Sequence, residues 1–344
     1  MTLKFEEFPY LSKQNCTELI INFVTYVPFR VVQIFQTSLS VMSIPILLFV
    51  IRKYIYGSSF HLNIKIIFIL YYSFATGHAM VNASMQIYQI IRSMLPDPCK
   101  AFPTRVEYET FNLSLASMTI GVVAIQLAIL FERAVATFWV HNYEKHDIRY
   151  GVLFSFISLS VIVIILCTTY RHEDFDELTA SMLNTPSSTA PRTNRMFIIL
   201  GGMSVFVIIG MQMLLRINKR TRRCAPKSLS SRYQTLENLF ITQFATYLSL
   251  LQVTIYVLYS LGGLGMRTAR YALFGDDEIA FGAARGIFYL IPLFTFLLPL
   301  LTIYLLRKHH TERESSINFI ITMKSTGMAG AQNYHDVITR AWLE

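Results

Sequence analysis

Seven apolar stretches separated by short polar segments divide the chain, at residues 31–51, 66–91, 110–131, 151–170, 196–215, 239–262 and 286–306. A bilayer core of about 30 Å takes about 20 residues of helix to cross, and each stretch is long enough. No Lys, Arg, Asp or Glu falls inside any of the seven, so every charge belongs to a connecting segment. The pattern predicts an all-α membrane protein: a seven-transmembrane helix bundle over residues 31–306, preceded by an N-terminal segment, 1–30, and followed by a tail, 307–344. The seventh stretch contains Pro292 and Pro299, which bend a membrane helix without abolishing it, because neighbouring helices satisfy the freed carbonyls.

The connectors set the orientation. With the N-terminus outside, the inner segments hold 18 Lys and Arg residues and the outer ones 12, while acids divide 8 inside to 13 outside. Lys and Arg in short loops stay on the cytosolic side. The third inner loop carries the bias, with Arg216, Lys219, Arg220, Arg222, Arg223, Lys227 and Arg232. The expected topology is N-terminus outside and C-terminus cytosolic, which makes residues 1–30 extracellular. Asn15-Cys16-Thr17 is a glycosylation sequon in that segment; Asn82-Ala83-Ser84 and Asn112-Leu113-Ser114 share the pattern but lie too deep or too close to the bilayer. The outer connection 171–195, rich in Thr, Ser and Pro, reads as flexible.

Composition agrees and narrows the chemistry. At 53% hydrophobic, 15% charged and a mean hydropathy of +0.44, the chain is too apolar for an ordinary soluble domain. Its net charge of +9 lies between apolar blocks and orients the helices; it does not form a soluble basic face for nucleic acid. The first thirty residues carry Lys4, Glu6, Glu7, Lys13 and Glu18 and lack an apolar core, so a cleavable signal is not expected. The cysteines at 16, 99, 167 and 224 have no CxxC or metal-ligand spacing. Cys16 and Cys99 are candidates for a disulfide, with Cys167 competing for the same partner, and Cys224, in the basic linker, reads as a lone reduced cysteine with palmitoylation as the alternative.

Polar residues inside a membrane are costly, so their arrangement is informative. In the second stretch His78, Asn82, Gln86 and Gln89 recur at intervals of four, four and three, one helical face; Ser249, Gln252, Tyr256 and Tyr259 do the same in the sixth. Asn82, Gln86, Gln89, Gln252, Tyr256 and Tyr259 fall in the outer half, with Tyr289 on the seventh stretch and Asn112 and Ser117 on the third. These nine are candidate ligand-binding residues of an outward-opening pocket for a small, mostly neutral molecule. The competing explanation is interhelical hydrogen bonding, worth about 0.6 kcal/mol per contact.

Catalysis has no visible machinery: the spans hold no Lys for a Schiff base, no HExxH and no buried carboxylate pair, and no cofactor or metal is implied. No internal repeat is visible, which argues against an inverted-repeat transporter. On the inner side, Glu132-Arg133 closes the third stretch. Ser231 with Gln234 three residues on matches a capping box, starting the sixth helix a turn or two before the bilayer.

Three pieces of sequence resemble the serpentine chemoreceptors of the nematode Sra superfamily, which includes the Sra, Srab, Srb and Sre groups. They are Phe60-His61-Leu62-Asn63 at the start of the second span, Glu132-Arg133 followed by Ala136-Thr137 and Asn142-Tyr143-Glu144, and Leu229-Ser230 through Arg232-Tyr233-Gln234 to Glu237-Asn238. The third span ends Glu132-Arg133-Ala134, unlike rhodopsin-like receptors. The resemblance implies a seven-transmembrane G-protein-coupled receptor at the plasma membrane of sensory neurons, detecting environmental chemicals and signalling through a heterotrimeric G protein. Glu132, Arg133, Lys219, Arg220, Arg222, Arg223 and Arg232 are then the candidates for activation and G-protein coupling. The alternative is a seven-helix ligand-gated cation channel subunit or transporter.

Overall fold

The computed structural model describes residues 26–58, 60–97, 102–139, 148–171, 173, 175, 181–183, 185–223, 229–275, 277–322 and 327–343. The described residues contain no strand. In order the helices are α1 (Val27–Phe49), α2 (Leu62–Ser93), α3 (Arg105–Phe138), α4 (Arg149–Tyr170), α5 (Ala190–Arg223), α6 (Leu229–Thr268), the short α7 (Arg270–Phe274), α8 (Glu278–Ile287), α9 (Ile291–Thr322) and α10 (Gly327–Leu343). A π-helical segment, Val50–Tyr56, continues α1.

Seven segments among the described residues are long and apolar enough to cross a membrane, the last running from Ile279 to Ser315 through α8 and α9. The fold is a seven-transmembrane helical one. The α3 helix is the central one: its apolar window is 67% buried, against 22% for α4. The chain forms two compact units, residues 1–300 with most of the helices and residues 301–344 with the rest of α9 and all of α10.

Local chemistry fixes the helix ends. Thr104 and Glu107 form a capping box at the start of α3, each side chain accepting the other's backbone N–H, a T-x-x-E signal that the hydrophobic pattern alone passes over. Pro292 sits in the first turn of α9, where its missing N–H would be unsatisfied anyway, and only Pro299 lies inside that helix. At the start of α6 the backbone is helical from Leu229. Ser231 therefore lies within helical backbone, two residues after Leu229, and not at the start of the helix.

Two further expectations meet a different structure. Glu132 and Arg133 do not close α3; the helix runs on to Phe138, and both residues are buried. The connection between α4 and α5, read as flexible, packs inward where it is described: Phe175 and Met182 join Met85, Tyr108 and Leu115 in one apolar cluster. Its Ser/Thr/Pro composition concealed those two anchors.

Candidate functional site

At the end of the bundle where α1 begins and α2 ends, a crevice of about 60 Å³ opens among α1, α2, α6 and α8. Polar side chains of α1 and α2 form a continuous chain along it that ends on a backbone carbonyl of α8. Gln33 of α1 donates from Nε2 to Gln86 Oε1 of α2 at 3.2 Å, and Gln86 Nε2 donates to Gln36 Oε1, also at 3.2 Å. Gln36 Nε2 in turn donates to the Gly286 carbonyl at 2.6 Å. Arg30 feeds the other end, donating to Gln33 Oε1 at 2.7 Å and to Ser93 Oγ at 2.6 Å.

The aromatic wall comes from α6 and the junction of α8 and α9. Tyr259 and Tyr289 meet edge to face at 5.6 Å, and Phe197 of α5 stands against Tyr259 at 5.1 Å. Close approach of α6 to Phe288 requires Gly262, since a β-carbon there would fall 2.2 Å from the Phe288 ring. Two cations complete the wall, Arg267 and Arg285. Arg267 entered because α6 continues to Thr268, six residues past the apolar stretch read from the sequence.

Of the nine ligand-binding candidates, Gln86, Tyr259 and Tyr289 line this crevice. The others are placed elsewhere. Asn82 donates to Ser40 Oγ of α1 at 2.8 Å, and Gln252 accepts from the Tyr71 hydroxyl at 2.7 Å. Asn112 lies by the α4–α5 connection, donating to the Met182 carbonyl and accepting from the Tyr170 hydroxyl at 3.0 Å. Ser117 bonds its own helix at the Ser114 carbonyl. Tyr256 stacks edge to face on Phe294, and Gln89 is buried near the end of α2. His78 meets the Tyr289 hydroxyl through Nε2 at 2.6 Å.

The residues that the sequence reading passed over, Gln33 and Gln36, carried the signal it used elsewhere. Gln33, Gln36, Ser40 and Ser43 recur at three, four and three along α1 and are all buried.

At the opposite end, the Glu132–Arg133 pair sits in a polar node. Arg133 donates from Nε and Nη2 to the two Glu132 oxygens, each at 2.6 Å, and from Nη1 to Asn238 Oδ1 of α6 at 3.0 Å. Asn238 Nδ2 donates to the Ala136 carbonyl at 3.1 Å. Asn218 of α5 bridges Thr137 and Thr242 at 3.2 and 3.1 Å. Two of the three sequence pieces thus converge here, and Phe60 of the third packs nearby on Phe240 and Phe244 of α6 at 6.3 and 6.2 Å. Asn63 of that same piece fixes α4, accepting from the Gly151 backbone N–H at 3.0 Å.

Lys219, Arg220 and Arg222 are exposed at the end of α5. The side chains of Arg223 and Arg232, together with Asn15, Cys16 and Cys99, lie outside the described residues. Cys167 is exposed and not disulfide-bonded. No group of three or more potential metal ligands occurs among the described residues.

Comparison with known proteins adds an independent observation. The family model described as "Serpentine type 7TM GPCR receptor class ab chemoreceptor" matches residues 13–342. The chain is 25% identical to serpentine receptor class beta-16 of Caenorhabditis elegans over 92% of its length and 94% of that protein. It is 26% identical to serpentine receptor class beta-3 of the same organism, over 96% of its length and 97% of that protein.

Proposed function

The chain belongs to the serpentine type 7TM GPCR receptor class ab chemoreceptor family, and from that premise we propose that it binds a small-molecule ligand in the crevice and signals through a heterotrimeric G protein docked at the Arg133 end. The family is one of receptors, not enzymes, and seven apolar helices make the chain a multi-pass membrane protein. In this reading the crevice faces outward, the tail is cytosolic, and the site of action is the plasma membrane of a sensory neuron's cilium.

One observation carries the proposal. The single helix α6 contributes Tyr259 and Arg267 to the crevice and Asn238 to the node, and at 1.5 Å per residue these two ends are about 40 Å apart. A ligand that favours one placement of α6 acts on Arg133 through the same rigid element, by no more than its differential affinity for the two placements. Movement of α6 breaks the Arg133 Nη1 bond to Asn238 while Glu132 keeps its two, and so changes what Arg133 presents to the partner.

The test is ligand-evoked nucleotide exchange in an Arg133→Ala variant at matched surface expression. Loss of the response is expected; an unchanged response removes Arg133 from the mechanism. An epitope placed within residues 1–30 should be reached by antibody on intact cells. An inaccessible epitope favours the channel reading, whose subunits carry the N-terminus inside.

A further inference from the structure

A second cavity adjoins the crevice. Of about 170 Å³, it opens between α5 and α6 and is lined mainly by apolar groups, among them Ile198, Val205, Val257, Leu261 and Leu264. Ile198, Val205, Leu261 and Leu264 are exposed on the flank of the bundle, so in a membrane this cavity is reached from the hydrocarbon. Gly201 and Gly202 belong to its lining, and a β-carbon added at either would meet nothing within 4 Å. Side chains missing at these two positions leave the space open.

Two uncharged polar side chains, Asn194 of α5 and Ser260 of α6, also line it. The ring contact of Phe197 with Tyr259 at 5.1 Å sets the two helices in register and places Ser260 within about one turn of Asn194 along their axes. Val205 and Val257 lie at the other end, so the cavity is polar at one end and apolar at the other. Neither Asn194 nor Ser260 makes a side-chain hydrogen bond among the described residues, and Asn194 Oδ1 is buried without a partner. Hydroxyls in apolar helices commonly turn back on a carbonyl of their own helix, as Ser204 does on Leu200 at 2.8 Å and Thr254 on Leu250 at 2.9 Å. Ser260 does not, and its hydroxyl stays available to the cavity. An amide and a hydroxyl left unbonded against hydrocarbon are both costly.

We propose that the α5–α6 cavity is a second binding site, which takes an uncharged alcohol of about six to eight carbons, a size set by the benzene that a cavity of about 150 Å³ holds. The ligand hydroxyl accepts from Asn194 Nδ2 and donates to Ser260 Oγ, and its hydrocarbon runs past Gly201 and Gly202 towards Val205 and Val257. An ion is disfavoured because it must enter from hydrocarbon. A lipid acyl chain fills the apolar end but leaves Asn194 and Ser260 unmet, and a sterol exceeds the volume. The site does not depend on the crevice being the receptor's ligand pocket, although Phe197 and Arg267 line both cavities.

The experiment irradiates the purified full-length chain in phosphatidylcholine nanodiscs with a diazirine-bearing 1-octanol and maps the adducts by peptide mass spectrometry. Competitors are 1-octanol, octane and octanoate at matched concentration in the bilayer. Adducts should concentrate on residues 194–205 and 257–267 and be displaced by 1-octanol. Octane and octanoate should be about three- to tenfold less effective, as expected for lost neutral hydrogen bonds. Ser260→Ala and Asn194→Leu should each weaken displacement by 1-octanol by about three- to tenfold. Gly202→Leu, which fills the cavity, should remove the concentrated labelling. Gly265→Leu, at another glycine with nothing within 4 Å of an added β-carbon but outside the cavity, should leave it unchanged. Thermal unfolding of each variant verifies that it is folded; should Gly202→Leu not fold, Ser260→Ala, which lacks a single oxygen, carries the same decision. Equal displacement by octane and 1-octanol assigns the cavity to an acyl chain and overturns the proposal. Adducts spread evenly over the exposed faces of all the helices mark partition into the bilayer alone and also overturn it, as does parental behaviour of folded Ser260→Ala and Asn194→Leu. No readout involves a G protein, so failure of this site and failure of the receptor mechanism are distinguishable.

Discussion

Arg133 of α3 and Asn238 of α6 are joined by a 3.0 Å hydrogen bond from Nη1 to Oδ1, while the other two donor groups used by Arg133 grip the carboxylate of its own chain neighbour. The guanidinium is therefore shared between a partner that cannot leave, Glu132, and one that can. Because the Asn238 side chain also donates to the Ala136 carbonyl, a single residue ties α6 to α3 by two bonds.

Replacing Asn238 by Ala removes both of those bonds without touching the ion pair. The expected outcome is raised ligand-independent nucleotide exchange, since a bond to a charged group contributes about 1.5–3 kcal/mol to the tethered arrangement. Basal exchange in membranes at matched surface expression reads it directly, and a basal rate equal to the parent's would exclude the tether from the switch.

Glu132 balances a guanidinium that is itself only 1% exposed. Glu132→Gln removes the carboxylate paired with that buried charge, so destabilisation of about 3–5 kcal/mol is expected. Thermal unfolding in detergent should fall sharply, and the double change Glu132→Gln with Arg133→Met should recover much of the loss. Absence of recovery would mean that Glu132 acts through something other than the pair.

Gln86 is the middle of the amide chain, donating to α1 on one side and accepting from α1 on the other. Gln86→Leu removes the partner of Gln33 Nε2 and of Gln36 Oε1, at about 1–3 kcal/mol each, while Gln33 keeps Arg30 and Gln36 keeps the Gly286 carbonyl. Ligand potency should drop along with stability. Gln89→Leu, one turn further on and not lining the crevice, serves as the comparison: equal potency losses in the two variants would argue against a special role for the chain.

Gly151 lets α4 start against α2, where a β-carbon would lie 2.7 Å from the Asn63 carbonyl oxygen. The obstacle is backbone and cannot swing aside. Gly151→Val should therefore reduce the yield of folded protein at the surface, through overpacking of about 1–3 kcal/mol or more; normal surface yield would show that α4 shifts freely.

Much of the architecture was legible because the bilayer is an unforgiving solvent. A helix that must cross about 30 Å of hydrocarbon satisfies its backbone internally and excludes charge, so seven uncharged stretches announce seven helices. The polar stripes of α2 and α6 were equally plain, as their periods of three and four leave no doubt about a shared face. What the stripes face was not readable. Asn82 and Gln252 have the spacing of a pocket wall, yet they bond Ser40 and Tyr71 across the interior. Gln86 and Tyr259, from the same two stripes, reach the crevice.

The sequence by itself determined the class of the protein, the number of its helices and, through three short motifs, its receptor family, because each depends on local period, charge exclusion or residue identity. Only the tertiary structure decided that Glu132 and Arg133 are a buried node and not a helix end, and that Arg267 and Arg285 stand in the wall of the crevice. The physical reason is that a polar side chain is defined by its partner. Arg133 meets Asn238 across a separation of 105 residues, and Gln36 meets the Gly286 carbonyl across 250, distances along the chain over which periodicity carries no information about contact.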